Sequence, residues 1–488
     1  MTHNARRICS LLLLLFTCPV LAQLPSHTAM APRGTEQGIT LTLSEAIALG
    51  LRNNRSVKSA YLQRVAQKFD LRVAEDSFTP KLSISGSYLY GKNQDSPYAQ
   101  RNVGPETTLL TPYGTRLSLG WAQQNIRNGS EEIYNNDGAS FTLIQPLLRG
   151  AGKDVTTAPR ELARLSEAQN KLTLKATLAH TVTDIAAAYR NLQRASEELS
   201  IIEVSLTRAK ALLEVNTALI EAGRMAQVDS IQTEADVANQ ELAVEQARNE
   251  RDSARLALLQ LLALDLRTPL GVSRPARPQF VHINAAEALK LAKQTQPAYL
   301  SQLINNKKDD LNVLLARNGQ LWDISLVASA RDTHARSAGT DRNVGRDNYI
   351  GVQVEIPVGD MGPRQATVNA EVNQKVQRLA SEESEQQLTR DIYAAVNEVN
   401  TRWKQYGIAV KANDLTRQKV DIERQKLAVG RSSNFQVLSF ETDLRNAENA
   451  RLTASIRYQT ALTALDEIMG TTLQSWGITL NEGAGDVD

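Results

Sequence analysis

Residues that could catalyse a reaction or hold a metal are few in this 488-residue chain, and they are not grouped. Four of its five histidines lie far apart and without ligand spacing, at His27, His180, His282 and His334. The patterns H-E-x-x-H, G-x-S-x-G, G-x-G-x-x-G and the P-loop do not occur. Charge-rich stretches such as "RQKVDIERQK" (417–426) are typical of solvated helix faces. The sequence therefore predicts no enzyme, no cofactor and no metal site.

The first 22 residues have the pattern of a secretory signal peptide. Arg6 and Arg7 precede a run from Ile8 to Phe16 that is apolar apart from Ser10, and small or apolar residues stand at the end of the segment. A run this short cannot span a membrane permanently. We therefore expect export from the cytoplasm, with cleavage after Ala22.

A lipoprotein signal is a second interpretation of the same segment, with Cys18 as the acylated residue. Thr17 before this cysteine and Pro19 after it fit such a signal poorly, so cleavage after Ala22 is preferred. That cleavage removes both cysteines of the chain, so no disulfide is expected. It also removes two of 55 basic residues and leaves 53 against 53 acidic ones. This balance gives no reason to expect a nucleic-acid partner.

Long helices are predicted where proline is absent. No proline lies between Arg160 and Thr268 or after Pro363, and apolar residues recur there at steps of three, four and seven. Helices over 156–221 and 364–429 would each be about 100 Å long at 1.5 Å per residue. Such helices cannot be buried within one domain of this size, so they must project from it.

The chain also repeats itself at a shift of 207 residues. Residues 223–258 and 430–465 are identical at 11 of 36 aligned positions, including the pairs Glu234/Glu441 and Asp236/Asp443. We divide the chain into a signal peptide (1–22), an N-terminal linker (23–40), a first repeat (41–264), a proline-rich connector (265–283), a second repeat (284–470) and a C-terminal tail (471–488). Each repeat is predicted as helix, two strands, long helix, glycine turn and helix. The strands lie at about 82–91 and 139–147, and at about 323–331 and 348–357.

The strands alternate apolar and polar residues, as in "KLSISGSYLYGK" (81–92). Nine to ten residues suffice for a tilted strand to cross a bilayer, and alternation is the pattern of transmembrane barrels. A soluble sheet that caps a helical stalk is the alternative. In the membrane interpretation the residues facing lipid are Leu82, Ile84, Tyr88, Tyr90, Phe141, Leu143, Ile350, Val352, Val354 and Ile356.

Four strands cannot close a barrel, because known transmembrane barrels begin at about eight strands. The chain would therefore share a barrel with copies of itself: a dimer would supply eight strands and a trimer twelve. The segment "RLSLGWA" (116–122) also alternates. It either extends a surface hairpin, which we favour, or pairs with residues 107–111 through the turn "TPYGT".

Five segments, taken in order, resemble the TolC-type outer-membrane efflux proteins, also called outer-membrane factors. They are "LTLSEAIALGLRNNRSV" (41–57), "LIQPLLRGAG" (143–152), "EAGRMAQVDSIQTE" (221–234), "VEIPVGDMG" (354–362) and "AVGRSSNFQVLSFE" (428–441). The resemblance covers about residues 41–478. It implies a mainly α fold with a β-barrel portion: a homotrimeric, twelve-stranded outer-membrane barrel continued by a periplasmic coiled-coil tunnel.

The function implied by the resemblance is passive conduction, in a tripartite efflux system such as multidrug efflux or in type I secretion. Its partners would be outer-membrane lipid, an inner-membrane transporter, and a periplasmic adaptor docking at the tunnel tip. Tip residues would be Ala222, Gly223, Arg224, Val429, Gly430 and Arg431. Where the family commonly has an aspartate six residues after each glycine, near the constriction, this chain has Asp229 and Gln436, with Ser439 three residues further on.

A periplasmic coiled-coil structural or adaptor protein without a pore is the competing hypothesis. It shares the signal peptide and the long helices, but it gives no reason for the apolar strand faces.

The first test concerns the N-terminus. Because the residues around Cys18 fit lipidation poorly, we expect the intact mature protein to begin at Gln23 and to carry no lipid. Mass spectrometry of the purified protein measures this directly. An acylated N-terminal Cys18 would contradict the prediction.

Overall fold

The computed structural model describes residues 39–93, 96–128, 132–223, 226–337 and 343–479. The expected signal peptide, nearly all of the linker and Arg224 lie outside these ranges. The described helices are α1 (Leu43–Asn53), α2 (Arg55–Glu75), α3 (Lys153–Glu221), α4 (Val228–Leu261), α5 (Ala285–Thr295), α6 (Pro297–Gly319), α7 (Gly362–Ala428), α8 (Asn434–Met469) and α9 (Thr472–Ser475). Its strands are β1 (Ile39–Leu41), β2 (Lys81–Asn93), β3 (Ser96–Leu110), β4 (Arg116–Asn128), β5 (Glu132–Pro146), β6 (Leu270–Val272), β7 (Asp323–Ser337) and β8 (Asn343–Glu355). Within those ranges, no helix is both long enough and apolar enough to span a membrane.

The two halves of the chain carry helices of nearly equal length in the same order. α1, α2, α3 and α4 have 11, 21, 69 and 34 residues, and α5, α6, α7 and α8 have 11, 23, 67 and 36. At 1.5 Å per residue α3 and α7 are each about 100 Å long. Pro363 stands in the first turn of α7, where a missing N–H costs little, whereas Pro159 lies inside α3.

One antiparallel sheet holds the six long strands in the order β2-β3-β4-β5-β7-β8. Of the two interpretations of 116–122, the structure shows the pairing that we did not favour. This segment belongs to β4, which pairs with β3 from Leu110 opposite Arg116 to Tyr98 opposite Asn128. The turn between the two strands is "TPYGT", as in the interpretation we did not favour. The first half therefore contributes four strands to the sheet where two were expected, and the second half contributes two.

The two larger clusters of buried side chains are equivalent and lie at the roots of the two helical hairpins. One joins α1, α3 and α4, and the other joins α5, α7 and α8. Each cluster contains a buried tyrosine whose hydroxyl binds the connector. Tyr189 Oη donates to the carbonyl oxygen of Leu41 (2.9 Å) and lies 2.8 Å from Ser273 Oγ. Tyr458 Oη donates to the carbonyl oxygen of Gln279 (3.0 Å), so both halves hold the segment that links them.

A buried ion pair fixes α2 against α3. The guanidinium of Arg64 contacts both carboxylate oxygens of Glu167, with Nη1 2.8 Å from Oε2, and both side chains are nearly buried. Hydrogen bonding to Arg64 lowers the pKa of Glu167 below its usual value. The carboxylate is therefore charged at neutral pH and neutralises the buried cation.

The second test removes one partner of this pair. Glu167→Gln removes the carboxylate charge that faces the buried guanidinium of Arg64, and we expect a loss of about 3 kcal/mol in the free energy of unfolding. Urea denaturation of the detergent-purified protein measures it. Glu161→Gln is the control on the same helix, because its pair with Arg164 is half-exposed and worth at most about 1 kcal/mol. Equal losses in both variants would contradict the prediction.

Candidate functional site

The two helical hairpins turn at glycines with positive φ. Gly223 has φ +69° and Gly430 has φ +75°, a region that side chains with a Cβ rarely adopt. No atom of the described chain lies within 4 Å of where a Cβ would stand at either position. Both turns are therefore open at the far ends of the long helices.

The second turn has the hydrogen bonds of a Schellman motif. The N–H of Arg431 donates to Lys426 O (2.8 Å) and the N–H of Gly430 donates to Leu427 O (2.9 Å). Ser432 Oγ donates to Glu423 Oε1 (2.7 Å), which ties the turn back onto α7. This bond, with a smaller effect of Lys426, lowers the pKa of Glu423.

The predicted tip and constriction residues lie at these turns. Those that the structure describes with side chains are all exposed: Ala222, Gly223, Val429, Gly430, Arg431, Gln436 and Ser439. Gln436 is in the first turn of α8, where its N–H is capped by Ser433 Oγ (3.3 Å). Asp229 is in the first turn of α4. The predicted residues thus cluster at one end of the molecule.

Three buried polar side chains join the two hairpins close to the turns. Asn216 Nδ2 on α3 donates to Thr233 Oγ1 on α4 (2.8 Å) and to Asn434 Oδ1 on α8 (3.0 Å). Asn434 Nδ2 also donates to Thr233 Oγ1 (2.8 Å). We call these three residues the tip node. Sequence reasoning missed it, although the signal was present: Asn216 interrupts the apolar seam of α3, where a polar residue commonly fixes register.

Further from the turns, arginines and glutamates connect three helices. Glu441 and Glu448 on α8 are about nine-tenths buried, and both contact Arg208 on α3 (3.1 and 3.4 Å). From α7, Arg424 pairs with Glu441, and Arg417 with Glu448 (3.1 Å). The repeat shift had marked Glu441, but it gave no indication of its partners.

The six-stranded sheet has one apolar and one polar face. By the strand register, nine of the ten residues predicted to face lipid lie on the same face, and the tenth, Ile356, comes directly after β8. All of them except Leu143 are exposed. The opposite face carries mostly serine, threonine, asparagine, glutamine and glycine, together with Leu89, Ile126, Ile144 and Val327. We refer to these as the apolar face and the polar face.

The edges of the sheet are open. β2 and β8 each pair with a strand on one side only, and no other described strand binds their outer edges. The adjoining helices carry two apolar seams, each a row of exposed apolar side chains. One lies on α2 and the other on α7, and both have helical spacing: Leu62, Val65, Phe69 and Val73, and Val368, Val372, Val376 and Leu379.

Known proteins with this fold are outer-membrane channels. "Outer membrane efflux protein BepC" of Brucella suis biovar 1 (strain 1330) is 23% identical over 84% of this chain and 81% of its own length. "Proteases secretion protein PrtF" of Dickeya chrysanthemi is 22% identical over 88% of both chains. The open-state structure of the Neisseria gonorrhoeae MtrE outer membrane channel superimposes with a TM-score of 0.66 at 17% identity, over 88% of this chain and 89% of that one.

The family profile described as "Outer membrane efflux protein" matches residues 46–264 and 287–471. These two blocks take up most of the chain and follow its two structural halves. The chain therefore belongs to the outer membrane efflux protein family and is a channel-type protein of the outer membrane.

Proposed function

We propose that three copies of this chain form one exit duct, a homotrimer whose sheets close into a shared outer-membrane β-barrel. The observation that carries the proposal is the pair of open edges on β2 and β8. In lipid, each unpaired main-chain group costs several kcal/mol, so a sheet must close on itself or on its copies. β2 and β8 run in opposite directions, so β2 of one copy can pair with β8 of the next.

The open helical seams support the same arrangement. α2 leads into β2 and α7 follows β8, so each seam lies beside one open edge of the sheet. The two seams have equal length, about 16 Å at 1.5 Å per residue. Packing the α2 seam of one copy against the α7 seam of the next would bury both, directly below the joined strands.

Below the barrel, the long helices of three copies would form a periplasmic coiled-coil tunnel. The duct would conduct substrates passively from the periplasm or from an inner-membrane transporter to the exterior. A periplasmic adaptor would dock at the open turns around Gly223 and Gly430, and the pore would narrow near Asp229, Gln436 and Ser439. Outer-membrane lipid would contact the apolar face, and nucleic acid has no part in this scheme.

Both drug efflux and protein secretion are compatible with the relatives. BepC is described as an efflux protein and PrtF as a protein for secreting proteases, at nearly the same identity. We therefore assign the chain to tripartite efflux or type I secretion without choosing between them. The competing hypothesis, a periplasmic structural or adaptor protein without a pore, leaves the apolar face without a partner. Fractionation separates the two, because only a duct requires detergent for extraction.

The third test places a charge on the apolar face. Val352→Arg or Val354→Arg should weaken assembly by roughly 2–4 kcal/mol if the residue faces the middle of the bilayer. Gln353→Arg is the matched control, since this neighbour on β8 lies on the polar face. Light scattering and heat-resistant oligomers in outer-membrane extracts report assembly. A stable folded monomer of the unmodified chain, or unimpaired assembly of both valine variants, would rule out the shared barrel.

The fourth test concerns the tip. Gly223→Trp and Gly430→Trp should abolish export while trimers still reach the outer membrane, because a bulky side chain would occupy the surface that the adaptor needs. Gly223→Asn and Gly430→Asn are the controls, since asparagine tolerates positive φ without that bulk.

Cysteines placed at the same two positions should cross-link to the adaptor in whole cells. If export survives both tryptophan variants and no partner is captured, the docking site lies elsewhere.

A further inference from the structure

We infer that β3 and β4 cross the outer membrane together with the other four long strands, so that each copy contributes six strands to the barrel. This inference rests on the proposed function and departs from the twelve-stranded barrel that the family resemblance implies. Three copies of a six-stranded sheet would supply eighteen strands. Four observations support it: the level at which the β3–β4 hairpin turns, the length of its ladders, the residues on its two faces and the close approach of strands on the polar face.

The turn between β3 and β4 is built into the junction between the strands and the helices. Tyr113 O accepts from the N–H of Gly152, just before α3 (3.3 Å), and Thr115 Oγ1 lies 2.5 Å from Gln145 Oε1 at the end of β5. Gly114 has φ +94°, and a Cβ there would stand 2.3 Å from the carbonyl oxygen of Gly150. The turn therefore lies at the level where β5 gives way to α3, and the hairpin reaches the base of the sheet.

The ladders on both sides of the hairpin run its full height. β2 pairs with β3 from Lys81 opposite Thr108 to Asn93 opposite Ser96. β4 pairs with β5 from Arg116 opposite Ile144 to Asn128 opposite Glu132. Each ladder has 13 residues per strand on the shorter side, and a tilted transmembrane strand needs about 9–11. A hairpin confined to the surface would pair with its neighbours over only part of this length.

Both strands continue the two faces of the sheet. On β4, Leu117, Leu119 and Trp121 share the apolar face with Leu143, Phe141 and Ala139 of β5. Ser118 and Gly120 lie on the polar face. On β3, Leu109 and Val103 are on the apolar face and Asn102 and Glu106 on the polar one. One face of the hairpin is therefore suited to lipid and the other to water, as in the rest of the sheet.

Neighbouring strands approach one another closely on the polar face of the sheet, and the hairpin takes part in this approach. One row on the polar face consists only of small residues across all six strands: Ser85, Gly104, Ala122, Gly138, Thr333 and Gly345. A Cβ on Gly104 would meet Trp121 O at 2.7 Å, and one on Gly138 would meet Asp332 O at 2.3 Å. Neighbouring strands crowd this face, so it is concave, and glycines permit the bend. A concave polar face is the inner wall of a barrel.

The consequence is a wide exit. Barrel diameter grows roughly linearly with strand number, so eighteen strands give about 1.5 times the diameter of twelve and about twice the cross-section. Each copy still contributes four long helices, α3, α4, α7 and α8. The added strands would therefore widen the barrel and leave the number of helices in the tunnel unchanged.

Single cysteines test the crossing, because the chain has no cysteine beyond Cys18. In intact cells, a membrane-impermeant maleimide should label Ser118→Cys on the polar face and leave Leu119→Cys unlabelled. Gln353→Cys and Val352→Cys are the matched pair on β8, a strand that both interpretations put in the membrane. Full labelling after denaturation confirms that each thiol is present.

The outcomes separate the inference from the proposed function. If Ser118→Cys and Leu119→Cys are both labelled while Val352→Cys stays protected, the hairpin lies at the surface and the inference is wrong. If Val352→Cys and Gln353→Cys are labelled alike, the apolar face does not meet lipid and the proposed function itself fails.

Excision of residues 96–128 gives a second measurement. β2 and β5 run in opposite directions, so residues 94–95 and 129–131 could connect them in a four-stranded sheet. For the purified trimer, the largest polymer that enters the barrel from the outer side should then fall by about one third in diameter. An unchanged size limit in an assembled trimer would overturn the inference. If the excised chain does not assemble, the labelling contrast between Ser118→Cys and Leu119→Cys decides.

Discussion

Main-chain hydrogen bonding at the open edges of β2 and β8 is the constraint on which the rest of this structure depends. A sheet with one apolar face and two unpaired edges is stable neither in water nor in lipid as a single copy. The helices also have apolar surface that is left uncovered, because the exposed seams on α2 and α7 lie beside those edges. Each open strand edge and the exposed helical seam beside it therefore need to be covered by the same neighbouring copy.

The helical part of the fold could be predicted from the sequence, because breakers are absent from it and its apolar seams are regular. β2, β5, β7 and β8 could also be located by alternation, although their ends could not. β3 could not be found: "SPYAQRNVGPETTLL" alternates weakly, and Pro105 lacks the N–H for a central ladder. In the structure, the ladder between β3 and β4 is interrupted at Gly104 and Pro105 and resumes in the same register. Without β3, a surface hairpin was the natural interpretation of β4.

The candidate site shows a similar division. Gly223 and Gly430 are evident from sequence because each is a lone glycine between long helices, at duplicate positions. The tip node and the partners of Glu441 and Glu448 are not, because they include contacts between residues more than 200 positions apart, such as Asn216 with Asn434 and Arg208 with Glu441. A polar group in a seam indicates that a partner exists, but only the packing of the two hairpins identifies it. Such buried polar contacts fix which helices lie side by side more than they add to stability.

The two tyrosines that hold the connector also mark where each hairpin leaves its root and begins the arm that extends to the turn. From Tyr189 to Gly223, α3 extends for about 50 Å at 1.5 Å per residue. Over that length the helix acts as a lever, so a tilt of about 5° at the root displaces the turn by about 4 Å, more than the width of a water molecule. Very small changes in side-chain packing near the connector are therefore geometrically amplified at the far end. A substitution at the root could change the width of the tip without touching a single residue there.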